Sequence, residues 1–271
     1  MTEITDLNQI KQIETEILRR FSTVCSQNGL RFFLSNGTLL GAVKYGGFIP
    51  WDDDIDVFMP RADYEWLMQV DEIDEGPFRL MSRERVPAWR LPFAKLCDRR
   101  TVKREGSADF GAEYGLEIDI FPLDVWSGGK GQAFRCGLWR RGLSAAVKER
   151  FETPKTGWRR AVLYGIWRLS RTLGAPFFLR RIDWEVARGR KLSKPAYLGS
   201  VAWSLYGMRE YIPAECFEET VAVSFEGDAY PAPAGYDVYL RSMYGDYHLD
   251  PPPDKQVTHH FFRVWRKENN V

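Results

Sequence analysis

Histidine is scarce in this 271-residue chain: there are three, His248, His259 and His260. The four cysteines, Cys25, Cys97, Cys136 and Cys216, form no C-x-x-C pair. A zinc centre needs such ligands at close spacing, so the composition argues against zinc and for free thiols in a reducing compartment. No run of apolar residues reaches the length that crosses a bilayer, and no membrane span is expected. Residues 1–17 lack the basic stretch followed by an apolar core of a signal peptide, so a cytoplasmic location is expected. A dominant charge is missing too: the net charge of +1 offers no overall case for a nucleic-acid partner, and none is expected. Internal repeats and low-complexity tracts are also absent. What remains, 44% hydrophobic and 28% charged residues, describes a soluble chain able to bury a large core as one domain or one domain with an insertion.

Leu7, Ile10, Ile13, Ile17, Phe21 and Val24 recur at three- and four-residue intervals, which predicts an amphipathic helix over 6–28. Asp6 with Gln9 resembles a capping box and Gly29 follows the last turn. Strands are expected at 31–35, 55–59, 93–98 and 115–122, the last stopped by Pro122, and helices at 37–43, 61–70 and 236–243. Residues 220–225 and those after Gly227-Asp228 read as a hairpin. Helices and strands in this order indicate an α+β (mixed α/β) fold: a small mixed sheet with flanking helices. Along the chain we expect an N-terminal helix (1–30), a core (31–125), a basic helical insertion (126–196) and a C-terminal part that completes the site (197–271), all within one catalytic domain.

The most informative segment is Trp51-Asp52-Asp53-Asp54-Ile55-Asp56-Val57, four carboxylates in five positions running into an apolar strand. Alternation along a strand puts Asp52, Asp54 and Asp56 on one face and Asp53 and Ile55 on the other. Carboxylates held that close repel unless a cation neutralises them. A hard divalent ion bound through oxygen is the economical explanation, Mg2+ by default and Mn2+ as a substitute. Asp119 supplies a third ligand, because Glu117-Ile118-Asp119-Ile120 repeats the acid–apolar alternation. Gly37-Thr38, at the start of a helix, supplies a phosphate cradle. A Gly-Thr helix start, a D-x-D strand and a later lone acid resemble the nucleotidyltransferase superfamily.

The chain also resembles one family within it, the LicD family of phosphorylcholine and fukutin-type phosphotransferases. The resemblance is carried by residues 37–41 and 47–56, Pro60-Arg61-x-x-Tyr64, Ala94-Lys95-Leu96-x-Asp98-x-x-Thr101 and residues 118–124. It resumes in residues 225–227 and 231–233, Tyr236-Asp237-x-Tyr239-Leu240, residues 244–247 and His259-His260. It implies a nucleotidyltransferase-like core that moves a phospho-alcohol, phosphocholine by preference, from a CDP-activated donor such as CDP-choline. The acceptor would be a hydroxyl of a cell-surface glycan, a teichoic-acid or lipopolysaccharide precursor, and CMP would be released. Asp54, Asp56 and Asp119 would hold one or two Mg2+ ions, while Gly37, Thr38, Arg61 and Lys95 would contact substrate. Asp119 or one of His259 and His260 would take the hydroxyl proton. A rival enzyme moves a nucleoside monophosphate from an NTP to a small acceptor. A non-enzymatic rival is a basic membrane adaptor.

Blander roles stand beside these. Lys95 sits among apolar residues and can simply snorkel, paired surface histidines are common, Arg61 can merely start a helix, and Asp52 and Asp53 can be supporting groups. Asp124 reads as a helix cap rather than a ligand. Residues 130–194 hold 17 Lys/Arg against 4 Asp/Glu, with Trp139, Trp158, Trp167 and Trp184 among them. That block suits an anionic bilayer, an anionic lipid-linked glycan acceptor, or plain solvation of a helical insertion. The 10 Trp and 12 Tyr permit an aromatic cage for a choline headgroup, although aromatics are mostly core.

Overall fold

A short strand β1 (Thr2–Ile4) leads into helix α1 (Leu7–Gln27), whose buried stripe of Ile10, Ile13, Ile17, Phe21 and Val24 realises the helical spacing. Asp6 caps it by accepting the Asn8 N–H at 2.9 Å. A computed structural model describes residues 1–258 and 262–268. After α1 come β2 (Phe33–Leu34), α2 (Asn36–Tyr45), β3 (Asp56–Pro60) and α3 (Arg61–Leu67). Strands β4 (Phe78–Met81), β5 (Ala94–Asp98), β6 (Thr101–Glu105) and β7 (Glu117–Val125) complete this half. The basic block forms α4 (Gly129–Ala146), α5 (Gly157–Leu173) and α6 (Ala175–Gly189). The remainder holds β8 (Tyr197–Gly199), β9 (Ile212–Pro213), β10 (Thr220–Phe225), β11 (Asp228–Pro233), α7 (Tyr236–Tyr244) and β12 (Phe262–Arg266). This is a mixed α+β fold.

The main sheet runs in the order β2-β3-β7-β5-β4, with β8 on the far part of β7 and β9 beside β8. Only β3 and β7 pair in parallel; the other neighbours are antiparallel. Ile55, Val57, Leu96, Ile118 and Ile120 are among its fully buried residues, and α1 packs against β5 and β7. The expected hairpin forms between β10 and β11, closing on Phe225↔Asp228. Its turn residues, Glu226 and Gly227, have φ of +51° and +85°, the backbone twist that two-residue hairpins favour.

Three expectations are corrected. Pro122 does not stop its strand: β7 continues to Val125. The Asp119 N–H donates to the O of Ile55, the residue just before β3, so alternation turns the nitrogen of residue 122 to the opposite edge. There β5 pairs no further than Ala94↔Ile120 and β8 begins at Asp124↔Gly199, and a missing donor costs nothing in that gap. Asp124 is no helix cap; it lies within β7. Strand pairing in the aspartate run begins only at Asp56, where β3 starts.

Candidate active site

Parallel pairing of β3 with β7 places Asp56 opposite Asp119, and antiparallel pairing with β5 places Asp119 opposite Lys95. The three side chains therefore form one row across the sheet. The start of α2 locks the head of that row. The Ser35 N–H donates to Asp56 O at 3.0 Å. The Asp56 N–H donates to Thr38 Oγ1 at 2.8 Å, and Asn36 Nδ2 donates to Asp56 Oδ2 at 3.1 Å. Asn36, at φ +47°, is itself clasped by Tyr239, whose hydroxyl accepts its N–H at 3.0 Å and donates to its Oδ1 at 2.9 Å. Helix α7 thus reaches back to set the carboxylate that begins β3.

Burial alternates through the aspartate run: Asp53 and Ile55 are buried, whereas Asp52, Asp54 and Asp56 are half-buried and line one cleft of about 900 Å³. The face predicted from alternation is present, even though hydrogen-bonded strand begins late. Asp53 does not line the cleft and accepts the Thr258 hydroxyl at 2.8 Å. Carboxylate oxygens of Asp52, Asp53 and Asp54 lie within 4.8 Å of one another. Gly37 sits close beside them: a Cβ there would stand 2.6 Å from Asp52 Oδ2 and would displace that carboxylate. The cleft is also lined by Trp51, Trp203, Tyr206, Tyr239 and Tyr244, with Arg209 and Glu210 among its polar groups.

Of the residues singled out from sequence, Gly37, Asp54 and Asp56 line the cleft. Thr38 is buried and its hydroxyl is engaged by the Asp56 N–H, so it shapes the strand start instead of facing the open space. Lys95 is 4% exposed and sits in an ion cluster, 2.8 Å from Asp119 Oδ1 and 2.9 Å from Glu117 Oε1. Lys103 shares Glu117 at 2.7 Å. Arg61 is held by Asp124 through two parallel bonds of 2.7 and 2.6 Å and does not line the cleft; the fork matches a carboxylate, and burial of Asp124 fixes it. His259 and His260 lie outside the described residues. Sequence reasoning missed Asn36, Tyr239 and Glu210. Asn36 adjoins the Gly-Thr signal and Tyr239 lies in a quoted motif; Glu210 had no local signal.

Crowding dominates the electrostatics. Burial, then the charges of Asp54 and Asp119, push the Asp56 carboxyl well above the usual carboxylate range, with the Asn36 bond opposing. Burial also raises Asp119, against the pull of Lys95. Burial would depress Lys95, but Asp119, Glu117 and Glu105 outweigh it and hold the ammonium well above its ordinary value. Burial likewise raises Glu210 to about 7, while the N–H groups of Tyr206 and Leu205 donate to its carboxylate and oppose the rise. The oxygens that come together within 4.8 Å, those of Asp52, Asp53 and Asp54, are all carboxylate, a set that fits a hard divalent cation and not a soft one.

A cleft with a carboxylate floor, fed by a parallel strand pair and the start of a helix, suits transfer chemistry at a phosphate. Residues 29–133 match the LicD/FKTN/FKRP nucleotidyltransferase domain, the segment that contains α2, β3, β5 and β7. The chain is similar to the lipopolysaccharide cholinephosphotransferase LicD of Haemophilus influenzae, 29% identical over 251 residues that cover 90% of this chain and 92% of that protein. Shorter stretches of 55 residues match two uncharacterized rickettsial proteins. These are RP689 of Rickettsia prowazekii, 33% identical over 20% of this chain and 21% of that protein, and RT0683 of Rickettsia typhi, 31% identical over 20% and 18%. The protein is a phosphotransferase enzyme. Its residues 29–133 carry the nucleotidyltransferase domain of the LicD family.

Proposed function

We propose that the enzyme transfers phosphocholine from CDP-choline to a hydroxyl of a lipopolysaccharide-type glycan and releases CMP. The observation that carries this reading is the cleft itself, lined by three carboxylates together with tryptophan and tyrosine side chains, in a chain similar over 90% of its length to a lipopolysaccharide cholinephosphotransferase. The acceptor oxygen bonds to the phosphorus of phosphocholine, the bond from that phosphorus to the CMP oxygen breaks, and the hydroxyl proton passes to a protein base. The aromatic rings suit the quaternary ammonium of choline, which is attracted to ring faces. Asp54 and Asp56, with Asp52 and Asp119 beside them, would hold Mg2+ or Mn2+. A bound divalent ion supplies charge neutralisation at the donor diphosphate. Asn36 orients Asp56, and Lys95 orients Asp119. Because nucleotide-activated donors are made in the cytoplasm, we place the enzyme at the inner face of a membrane, with the basic block against anionic lipid.

The test is incubation with CDP-choline and a lipopolysaccharide acceptor, with and without Mg2+, scoring CMP and labelled glycan. Magnesium-dependent release of CMP is the expected result. Pyrophosphate from CTP or ATP, with no CMP from CDP-choline, would replace this reading with nucleotidyl transfer. Asp54→Asn and Asp56→Asn are each expected to lower turnover by about 10³-fold, the scale of several kcal/mol of lost charge stabilisation. Unchanged function in both would point to the adaptor role instead.

A further inference from the structure

Between α4 and residues 204–209 lies a second cavity, of about 540 Å³. Lys130, Arg140 and Arg141 reach it from one side of α4, and Arg209 from the other wall. Among the described residues none of its lining side chains is acidic, and none of these four cations has a carboxylate partner. Neighbouring basic residues behave differently: Arg135, on the same helix, is paired with Glu185. Arg140 is half-buried and fixed, with Nε donating to Ser204 O at 2.8 Å and its guanidinium 5.7 Å from the Trp203 ring centre. Burial and the adjacent Arg141 both weaken its hold on a proton, and Glu210 opposes them only in part.

A protein seldom collects four cations around a concave surface without an anion to neutralise them, and planar guanidinium groups suit phosphate best. The groove is not isolated. Leu205, Tyr206 and Arg209 line both it and the main cleft, so a ligand can extend from one into the other. The donor diphosphate belongs at the aspartates, which leaves the acceptor as the molecule that reaches here. We propose that this groove is the acceptor's anion subsite and binds a phosphate group on the saccharide some distance from the hydroxyl that reacts. The inference rests on the transferase reading above for the identity of the ligand, but its test does not.

The full chain is titrated calorimetrically, without nucleotide, with deacylated, phosphorylated lipopolysaccharide oligosaccharide and with the same oligosaccharide after phosphatase treatment. The phosphorylated form is expected to bind at least tenfold more tightly, with an affinity that falls as salt rises. Lys130→Glu/Arg141→Glu and the milder Lys130→Ser/Arg141→Ser, both at exposed positions, are expected to remove that difference at an unchanged melting temperature. Equal binding of the two forms by the wild type overturns the subsite. So does a difference that survives in both variants, even where they lose binding to phosphatidylglycerol vesicles; the groove would then serve a lipid headgroup. Failure of the wild type to release CMP from CDP-choline would sink the donor assignment alone.

Discussion

Lys95 carries its charge at a buried position 2.8 Å from Asp119 and 2.9 Å from Glu117. Removing one partner from a buried ion cluster leaves the others uncompensated, at a cost of about 3–5 kcal/mol. Lys95→Met is therefore expected to lower stability by that amount in urea unfolding and to disturb Asp119. A phosphate-contact role predicts instead a normal midpoint and a raised KM. Glu14, on the buried side of α1, poses the reverse problem, because neither of its side-chain oxygens has a hydrogen-bond partner among the described residues. Burial raises its pKa well above the ordinary value, with Lys103 opposing. An acid raised in the folded state is protonated in both states at low pH, so it costs nothing there. The penalty grows as pH climbs from the unfolded value near 4.5 toward the folded one, at about 1.4 kcal/mol per pH unit. Glu14→Gln is expected to melt like the wild type near pH 4 and at a distinctly higher temperature at pH 7.5; equal melting at both would remove Glu14 from the account. Neither partnership was legible in the sequence. Lys95 and Glu117 are 22 residues apart, Lys103 and Glu117 14 apart, and register alone joins them. Asp54 and Asp56 were legible because alternation is a local property.

At the scale of elements, local signals carried far: α1, α2, α7 and the β10–β11 hairpin stand within a few residues of where periodicity and turn residues put them. The sheet β1-β12-β6 was not legible, since it joins the first residues of the chain to its last strand and no local pattern announces such a pairing. The position of α2 depends on close backbone approach. A Cβ on Gly41 would stand 2.4 Å from Gly47 O and 3.0 Å from Ile49 N, and backbone cannot swing aside as a side-chain tip can. Gly41→Ala is expected to cost about 1–3 kcal/mol, as over-packing does. It should also lower activity, because residues 47–49 lead directly into the aspartates. Gly165, inside α5, meets nothing within 4 Å. There the same substitution should stabilise by about 0.5–1 kcal/mol through helix propensity. Opposite signs in urea unfolding are the check; two stabilising substitutions would mean that α2 does not press on that loop.

Across the whole molecule, charge is segregated. Residues 130–194 carry 17 basic and 4 acidic side chains, which leaves 21 basic against 33 acidic elsewhere in a chain of net charge +1. Among the described residues no helix is long and apolar enough to cross a membrane, yet α5 has the features of one that lies along a membrane. Trp158, Val162, Ile166, Leu169 and Leu173 are between 41% and 72% exposed and recur every three or four residues, so they share one face. Arg159 and Arg168 border that face, and Trp167 and Arg171 anchor the opposite side to Lys148 O. An exposed apolar stripe rimmed by arginine fits the interface of an anionic bilayer. Helix α4, against which α5 packs, also lines the groove beside the cleft, so a membrane at α5 would hold a lipid-linked acceptor near the aspartates. The chain is expected to co-sediment with vesicles containing phosphatidylglycerol at low salt and to be released as salt rises. Trp158→Ser/Leu169→Ser should weaken that binding at least about tenfold, since each buried side chain contributes about 1.5–3 kcal/mol. Sedimentation of the wild type as a dimer, with no vesicle binding and with dimerisation lost in the double variant, would assign the stripe to a second copy of the chain instead.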